Sequence, residues 1–281
     1  MRIDLHTHST ASDGTQTPAE VVAAAAEAGL DVFALTDHDT TTGWDEASAA
    51  AEHHGIELVR GIEISCQYEG VSIHLLGYLH DPTAPGLLDE LDLSRKSRQT
   101  RAQQMVELLS RDVKLQWDDV LEHVDPGATI GRPHIADAMV AKGIVSSRDE
   151  AFADWLFTGS RYFAAYYALD PVQAVRLLAE AGGVAVMAHP FASKRGRVVD
   201  DGVIEAMVDA GMAGLEVHHR DHSREQVRHG LDLAASLDVF VTGSSDYHGV
   251  GKSNRLGENT TDVEVLQQIE QLATGTGVLR P

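Results

Sequence analysis

Short apolar runs alternate with longer stretches of helical spacing along most of this chain. Arg2-Ile3-Asp4-Leu5 predicts a first strand that ends in His6-Thr7-His8. Thr17-Pro18-Ala19-Glu20 predicts a helix start, with Thr17 as N-cap, Pro18 in the first turn and Glu20 as the reciprocal capping partner. That alanine-rich helix stops at Gly29. Asp31-Val32-Phe33-Ala34-Leu35 then has the length and the β-branched, aromatic content of a buried strand. Trp44 to His54 predicts a second helix, closed by Gly55, and Leu58 to Ser65 and Val71 to Tyr78 predict two more strands. The first quarter of the chain therefore reads βαβαββ.

The pattern changes after Asp81-Pro82 and Pro85-Gly86. From Leu87 to Arg111 the residues Leu88, Leu91, Met105, Leu108 and Leu109 follow approximate helical spacing. Gly131-Arg132-Pro133-His134 opens another helix, and Ser146 to Leu156 predicts a further one. Residues 87–168 read as a helical insertion between two parts of an α/β unit, 1–86 and 169–281. Alternation resumes with a helix from Asp170-Pro171 to Gly182 and a strand, Gly183 to Ala188, that ends in His189-Pro190. A helix from Gly202 to Ala210 leads to Leu215-Glu216-Val217, which ends in His218-His219. A helix from Arg224 to Ser236 leads to Val239-Phe240-Val241-Thr242, which runs into Ser244-Ser245-Asp246-Tyr247-His248-Gly249. Val263 to Thr274 predicts a closing helix.

The polar residues that interrupt this pattern carry the chemistry. His6, His8, Asp13, Asp37, His38, Glu63, His74, His189, Asp246 and His248 all fall at or just beyond predicted strand ends, where α/β folds collect their catalytic groups. Nitrogen and carboxylate donors without thiolates suit manganese, zinc or iron. There are too many for one four-coordinate ion, so the set predicts two or three ions with a shared carboxylate. Two such ions about 3.5–4 Å apart can clamp a transferring phosphoryl group. Taken singly, each motif has an ordinary explanation: His-x-His recurs on surfaces, and Thr36-Asp37-His38-Asp39 can cap a helix. Recurrence at one structural position is what gives the group its weight.

Other polar features read as structural. His53-His54 fit an exposed helix end, and Cys66 fits a small buried side chain. Gly251-Lys252-Ser253 resembles the end of a phosphate-binding loop but has Asp246 where the first glycine is needed. His218, His219 and His222 cluster after one strand and are secondary candidates for substrate contact.

Composition narrows the class. The chain has 281 residues, 43% of them hydrophobic, enough for one large α/β domain with an insertion. A formal net charge of -21 argues against duplex nucleic acid and anionic membranes as partners. One cysteine excludes an intrachain disulfide and, with no membrane-length apolar run and no leader-like start, predicts a cytoplasmic protein. Against that acidic background Arg95, Lys96, Arg98 and Arg101 form a basic cluster in the inserted helix. Arg132 and His134 flank a Pro-initiated helix N-terminus, which favours an anion. Together they predict a site for a second phosphate.

In these stretches the chain resembles the PHP (polymerase and histidinol phosphatase) family. The resemblance rests on His6-Thr7-His8-Ser9, Ser12-Asp13-Gly14, Thr36-Asp37-His38-Asp39, Gly61-Ile62-Glu63-Ile64-Ser65, Ile73-His74, Ala188-His189-Pro190 and Ser245-Asp246-Tyr247-His248-Gly249. It implies a distorted (β/α)7 barrel with a metal cluster at the C-terminal strand ends. Within that family the chain is similar to bacterial phosphoesterases with a helical insertion, which remove the 3′-phosphate of 3′,5′-nucleoside bisphosphates or trim short 5′-phosphorylated RNA from its 5′ end. The resemblance implies that His6, His8, Glu63 and Asp246 hold one ion, Glu63, His74 and His189 a second, and Asp13, His38 and His248 a third, manganese first among the candidates. Some trinuclear members carry His where this chain has Asp13. Asp37 then becomes an orienting group.

The expectation is a metal-dependent phosphatase working by metal-hydroxide attack, with Glu63, His189 and Asp246 at the reacting centre. Arg98, Arg101, Arg132 and His134 would grip a 5′-phosphate. Rival readings are a histidinol-phosphate-type phosphatase, a metal-dependent amidohydrolase that would leave the arginines without an anion, and a binding module without turnover.

Overall fold

The computed structural model describes residues 1–281. Seven strands form one curved sheet in chain order: β1 (Ile3–Thr7), β2 (Val32–Leu35), β3 (Glu57–Tyr68), β4 (Val71–Tyr78), β5 (Val184–Met187), β6 (Gly214–His218) and β7 (Phe240–Gly243). The pairs β1–β2, β2–β3, β5–β6 and β6–β7 are parallel, whereas β4 runs antiparallel to both neighbours. The sheet closes through the segment after β7: His8 N donates to Tyr247 O (2.8 Å) and Tyr247 N to His6 O (3.3 Å). This is the distorted seven-stranded α/β barrel expected from the sequence.

Helices α1 (Pro18–Glu27) and α2 (Trp44–His54) cover β2 and β3, burying Val21, Val22 and Ala47 against Phe33, Leu35 and Leu58. The capping box at Thr17 forms as its residues predict, with Glu20 N donating to Thr17 Oγ1 at 3.2 Å. After β4 come α3 (Pro85–Leu109), α4 (Trp117–Leu121), α5 (Arg132–Ala141) and α6 (Arg148–Asp154). They have a core of their own, built on Met105, Leu109, Leu115, Ile135 and Met139. Helix α3 starts at Pro85, two residues before the predicted boundary, because a proline tolerates the first helical turn. Its first turns, through Leu87 and Leu91, belong to the barrel's core, so one helix serves both bodies. Then α7 (Pro171–Glu180), α8 (Asp201–Asp209) and α9 (Arg224–Leu237) back β3 to β7, and α10 (Val263–Leu272) seals the barrel base with Leu266 and Ile269. No helix is long and apolar enough to cross a membrane.

Two predicted strand ends are placed differently. Glu63 and His74 lie in mid-strand, because β3 and β4 continue as a hairpin past the point where β2 stops, pairing Glu63 with Leu76 and Ser65 with His74. Strand β2 reaches only Arg60, so Glu63 still stands above the parallel rim. The predicted strand Leu58 to Ser65 was too short because Cys66, Gln67 and Tyr68 find partners only in the folded hairpin.

Candidate metal centre

The donors come from every part of the rim. His6 and His8 leave β1 at a register shift that breaks its strict alternation. Asp13 arrives on a turn that folds back so closely that a Cβ at Gly14 would stand 2.5 Å from the His8 carbonyl oxygen. Asp37 holds that turn: it accepts from Ser9 N (2.8 Å), Ser9 Oγ (2.7 Å) and Ser12 Oγ (2.6 Å), so it faces the loop and not the donor cluster. His189 and Asp246 both have left-handed backbones, φ 31° and 54°. Such conformations are costly for these residue types and persist where the surroundings over-determine them.

Glu63 is the centre of the cluster. Its Oε2 lies 3.2 Å from His6 Nε2, 3.0 Å from His8 Nε2 and 3.3 Å from His38 Nδ1. Its Oε1 lies 2.7 Å from His74 Nδ1 and 3.3 Å from His189 Nε2. Asp246 Oδ1 is 3.5 Å from His6 Nε2, 3.4 Å from His8 Nε2 and 3.3 Å from His248 Nδ1. Asp13 meets His248 Nε2 at 3.3 Å and His38 Nε2 at 3.9 Å. Three groups have donor atoms close enough to share an ion: His6, His8, Glu63 and Asp246; His38, Glu63 and His74; and His8, Asp13, His38 and His248. His38 thus stands between two groups.

Several facts fit this set to cations. His6 Nε2 and His8 Nε2 face each other at 3.1 Å, and with both lone pairs free the two can share one cation. Asp13 Oδ1, His38 Nδ1 and His74 Nδ1 are buried and lie within 3.3 Å of His248 or Glu63, yet none makes a hydrogen bond of acceptable angle there. The electrostatics agree. Burial opposes charge on Glu63, Asp13 and Asp246, yet His38 and His74 beside Glu63, His248 and His38 beside Asp13, and Lys252 and Arg195 beside Asp246 hold all three ionised well below the usual carboxylate range. Burial likewise opposes charge on His8, but Asp246 and Glu63 push its pKa up to about 9. These carboxylates are therefore ionised donors set among imidazole nitrogens, a nitrogen- and oxygen-lined cage whose chemistry suits divalent ions.

Residues that sequence reasoning overlooked surround the cluster. Glu216 on β6 accepts from His6 Nδ1 (2.9 Å), and Arg195 Nη2 (2.6 Å) and Lys252 Nζ (3.0 Å) grip the outer oxygen of Asp246. Glu216 sits inside a short apolar triplet that reads simply as a strand. Lys252 belongs to the Gly251-Lys252-Ser253 stretch, and its ammonium goes to Asp246. His219 is buried with Nε2 3.7 Å from Asp246 Oδ2, while His222 is occupied by Val217 O and Phe191 N, and His218 is exposed.

Of the basic cluster on α3, Lys96 is exposed, but Arg98 and Arg101 do not belong to a solvated face. Arg98 and Arg101 are buried, at 6% and 5% exposure. Arg98 Nε pairs with Asp39 Oδ2 at 2.7 Å and its Nη2 meets Ser65 Oγ, which ties α3 to the loop that carries His38. Arg101 meets no carboxylate: its guanidinium lies 4.2 Å from the Tyr166 ring centroid, and Nε has no partner. Arg132 donates to Leu156 O at 2.9 Å and also lacks an acid. Burial, with Arg132 and Arg98 close by, draws the Arg101 pKa down to about 9 even though Tyr166 opposes the shift. The α5 N-terminus joins them, since a Cβ at Gly131 would stand 3.6 Å from Arg98 Nη1 and 4.0 Å from Asp13 Oδ2. His134 uses Nδ1 to accept from Gly131 N (3.0 Å), so that nitrogen caps the helix. By contrast Arg95 is paired with Asp92 on an outer face.

Comparison with known proteins points the same way. Residues 4–142 match the PHP domain. A 3′,5′-nucleoside bisphosphate phosphatase of Chromobacterium violaceum is 33% identical over 262 residues, covering 93% of this chain and 92% of the relative. A 5′-3′ exoribonuclease of Haemophilus influenzae is 34% identical, with 92% and 94% covered. A crystal structure of a candidate metal-dependent phosphoesterase from Bifidobacterium adolescentis superposes with a TM-score of 0.94 at 42% identity over 97% of this chain and 96% of the other.

Proposed function

The chain belongs to the PHP-domain family of metal-dependent phosphoesterases, and from that premise we propose that it hydrolyses the 3′-phosphate of 3′,5′-nucleoside bisphosphates. The same cut in short 5′-phosphorylated RNA, between O3′ and phosphorus, is the companion reaction, as the exoribonuclease relative suggests. The observation that carries this reading is the buried guanidinium of Arg101 and the half-buried one of Arg132, both left without carboxylates near Arg98 and the α5 N-terminus. A buried unpaired charge is costly, so an anion from outside must supply the partner.

His6, His8, Glu63 and Asp246 would hold one ion; Glu63 and His74 a second, with His189 reaching Glu63 Oε1 at 3.3 Å and His38 also within reach; and Asp13, His38 and His248 a third, beside His8, with manganese favoured and zinc or iron suited to the same donors. When bound, such ions neutralise the phosphoryl oxygens and acidify a water. The protein's own groups do the rest. Arg101 and Arg132 hold the 5′-phosphate, Arg98 sets Asp39 and the His38 loop while adding charge to that grip, and His134 completes it from the α5 N-terminus. Binding the 5′-phosphate there would bring the 3′-phosphate of the same nucleotide to the donor cluster as an intramolecular partner. Burial and Arg195 hold the His189 ring neutral, with a pKa drawn down to about 3, which suits it to donate a lone pair and not a proton.

The test compares substrates on the metal-loaded protein. Nucleoside 3′,5′-bisphosphate should turn over at least about 100-fold better in kcat/KM than the 3′-monophosphate, the value of one charge-assisted contact to a phosphate. Equal turnover removes the 5′-grip.

A further inference from the structure

We infer that Glu216 is the positioning residue of the metal centre, fixing which nitrogen of His6 faces the donors and where His189 stands. Nothing in the motifs that carry the family resemblance includes it. The carboxylate is fully buried on β6 and reaches two separate parts of the rim. Its Oε1 accepts from His6 Nδ1 at 2.9 Å, on β1. Its Oε2 accepts from the His189 backbone N at 2.9 Å, just beyond β5, where the chain adopts its left-handed turn. With its proton held on Nδ1, His6 presents an unprotonated Nε2 toward Glu63 Oε2 and Asp246 Oδ1. The alternative tautomer would put an N–H between His6 Nε2 and His8 Nε2, only 3.1 Å apart, where a cation must sit. Held at both oxygens, Glu216 also offsets the cost of the His189 backbone conformation.

This inference rests on the metal-centre reading and does not depend on which phosphate ester is cut. Glu216→Gln keeps the side-chain volume but has one acceptor and one donor face. Turned either way, its NH₂ opposes the His6 Nδ1–H or the His189 N–H. We expect metal-free E216Q to bind Mn(II) about 10–100-fold more weakly than the parent protein, read by calorimetry or by free Mn(II) in electron paramagnetic resonance. Equal affinity overturns the inference, whatever happens to thermal stability. A parent protein that takes up no Mn(II) overturns the metal reading along with it. Should the variant fail to fold, the parent loaded with Zn(II) answers the question directly. Two-bond ¹H–¹⁵N spectra should place the His6 proton on Nδ1, and a proton on Nε2 overturns the inference.

Discussion

Arg101 shows how far one side chain can be set against its own stability. Its charge is buried, lacks an acid, and sits near two other arginines, an arrangement that loses free energy until an anion arrives. Arg101→Met should therefore raise the melting temperature of the ligand-free protein while lowering kcat/KM for a 3′,5′-bisphosphate by about 100-fold, and 4-nitrophenyl phosphate should be affected several-fold at most. Parallel losses on both esters would place Arg101 in the fold and not in the grip. His80 is a different kind of buried polar group. It lies edge-on to Trp44 with 5.0 Å between ring centroids, and neither ring nitrogen has a partner. Burial draws its pKa from the usual 6.5 down to about 4, with Asp81 opposing weakly. The native state thus binds fewer protons here than the unfolded chain, so stability is intact above pH 6.5 and is lost as pH falls from 6.5 toward 4. His80→Phe should remove up to about 3 kcal/mol of that acid sensitivity, seen as a smaller drop in the urea midpoint between pH 7 and pH 4.5. An unchanged acid slope would show that other groups carry it.

Helices and strands divide into those whose patterns are self-contained and those that depend on neighbours. Helix α1 forms where Thr17, Pro18, Glu20 and Gly29 predict, because cap and stop are local. The predicted closing helix to Thr274 ends at Leu272, a difference within the usual fraying of helix ends. Strand β3 could not be bounded from sequence, since its last residues are strand only by pairing with β4. The fate of α3 was likewise hidden. Its approximate apolar spacing reflects two different partners, the barrel at Leu87 and Leu91 and the insertion at Met105 and Leu109, while its buried arginines look polar in any periodicity count. Because the insertion has its own core, its stability should separate from the barrel's. Met139→Ala, at a fully buried position on α5, should cost about 2–5 kcal/mol locally. Hydrogen exchange should then speed up across α3 to α6 while β1, β5 and β6 stay protected. Uniform acceleration would mean that the two bodies unfold as one.

Across the whole molecule, electrostatics links folding to metal. A chain of formal charge -21 gathers Asp13, Glu63 and Asp246 in one buried cage while the basic residues Arg195 and Lys252 neutralise only its edge. Divalent ions held by the folded cage and not by the dispersed ligands of the unfolded chain would stabilise by mass action. Stripping them with a chelator should lower the melting temperature by several degrees, and Mn(II) or Zn(II) should restore it in a concentration-dependent way, as scanning calorimetry would report. Identical melting curves with and without chelator would argue against a cage that holds metal.

By itself the sequence determined the alternation of strands and helices, the breaks at Pro82 and Pro85, and the kinds of donor offered to the site, because caps, periodicity and ligand chemistry are properties of a few adjacent residues. Tertiary structure alone decided that Glu63 would meet five imidazoles and that Glu216, a charged residue in an apolar triplet, would reach across to His6. It alone decided, too, that Arg98 would have an acid partner and Arg101 none. Those outcomes depend on distances between residues far apart in the chain, which only closing the barrel sets.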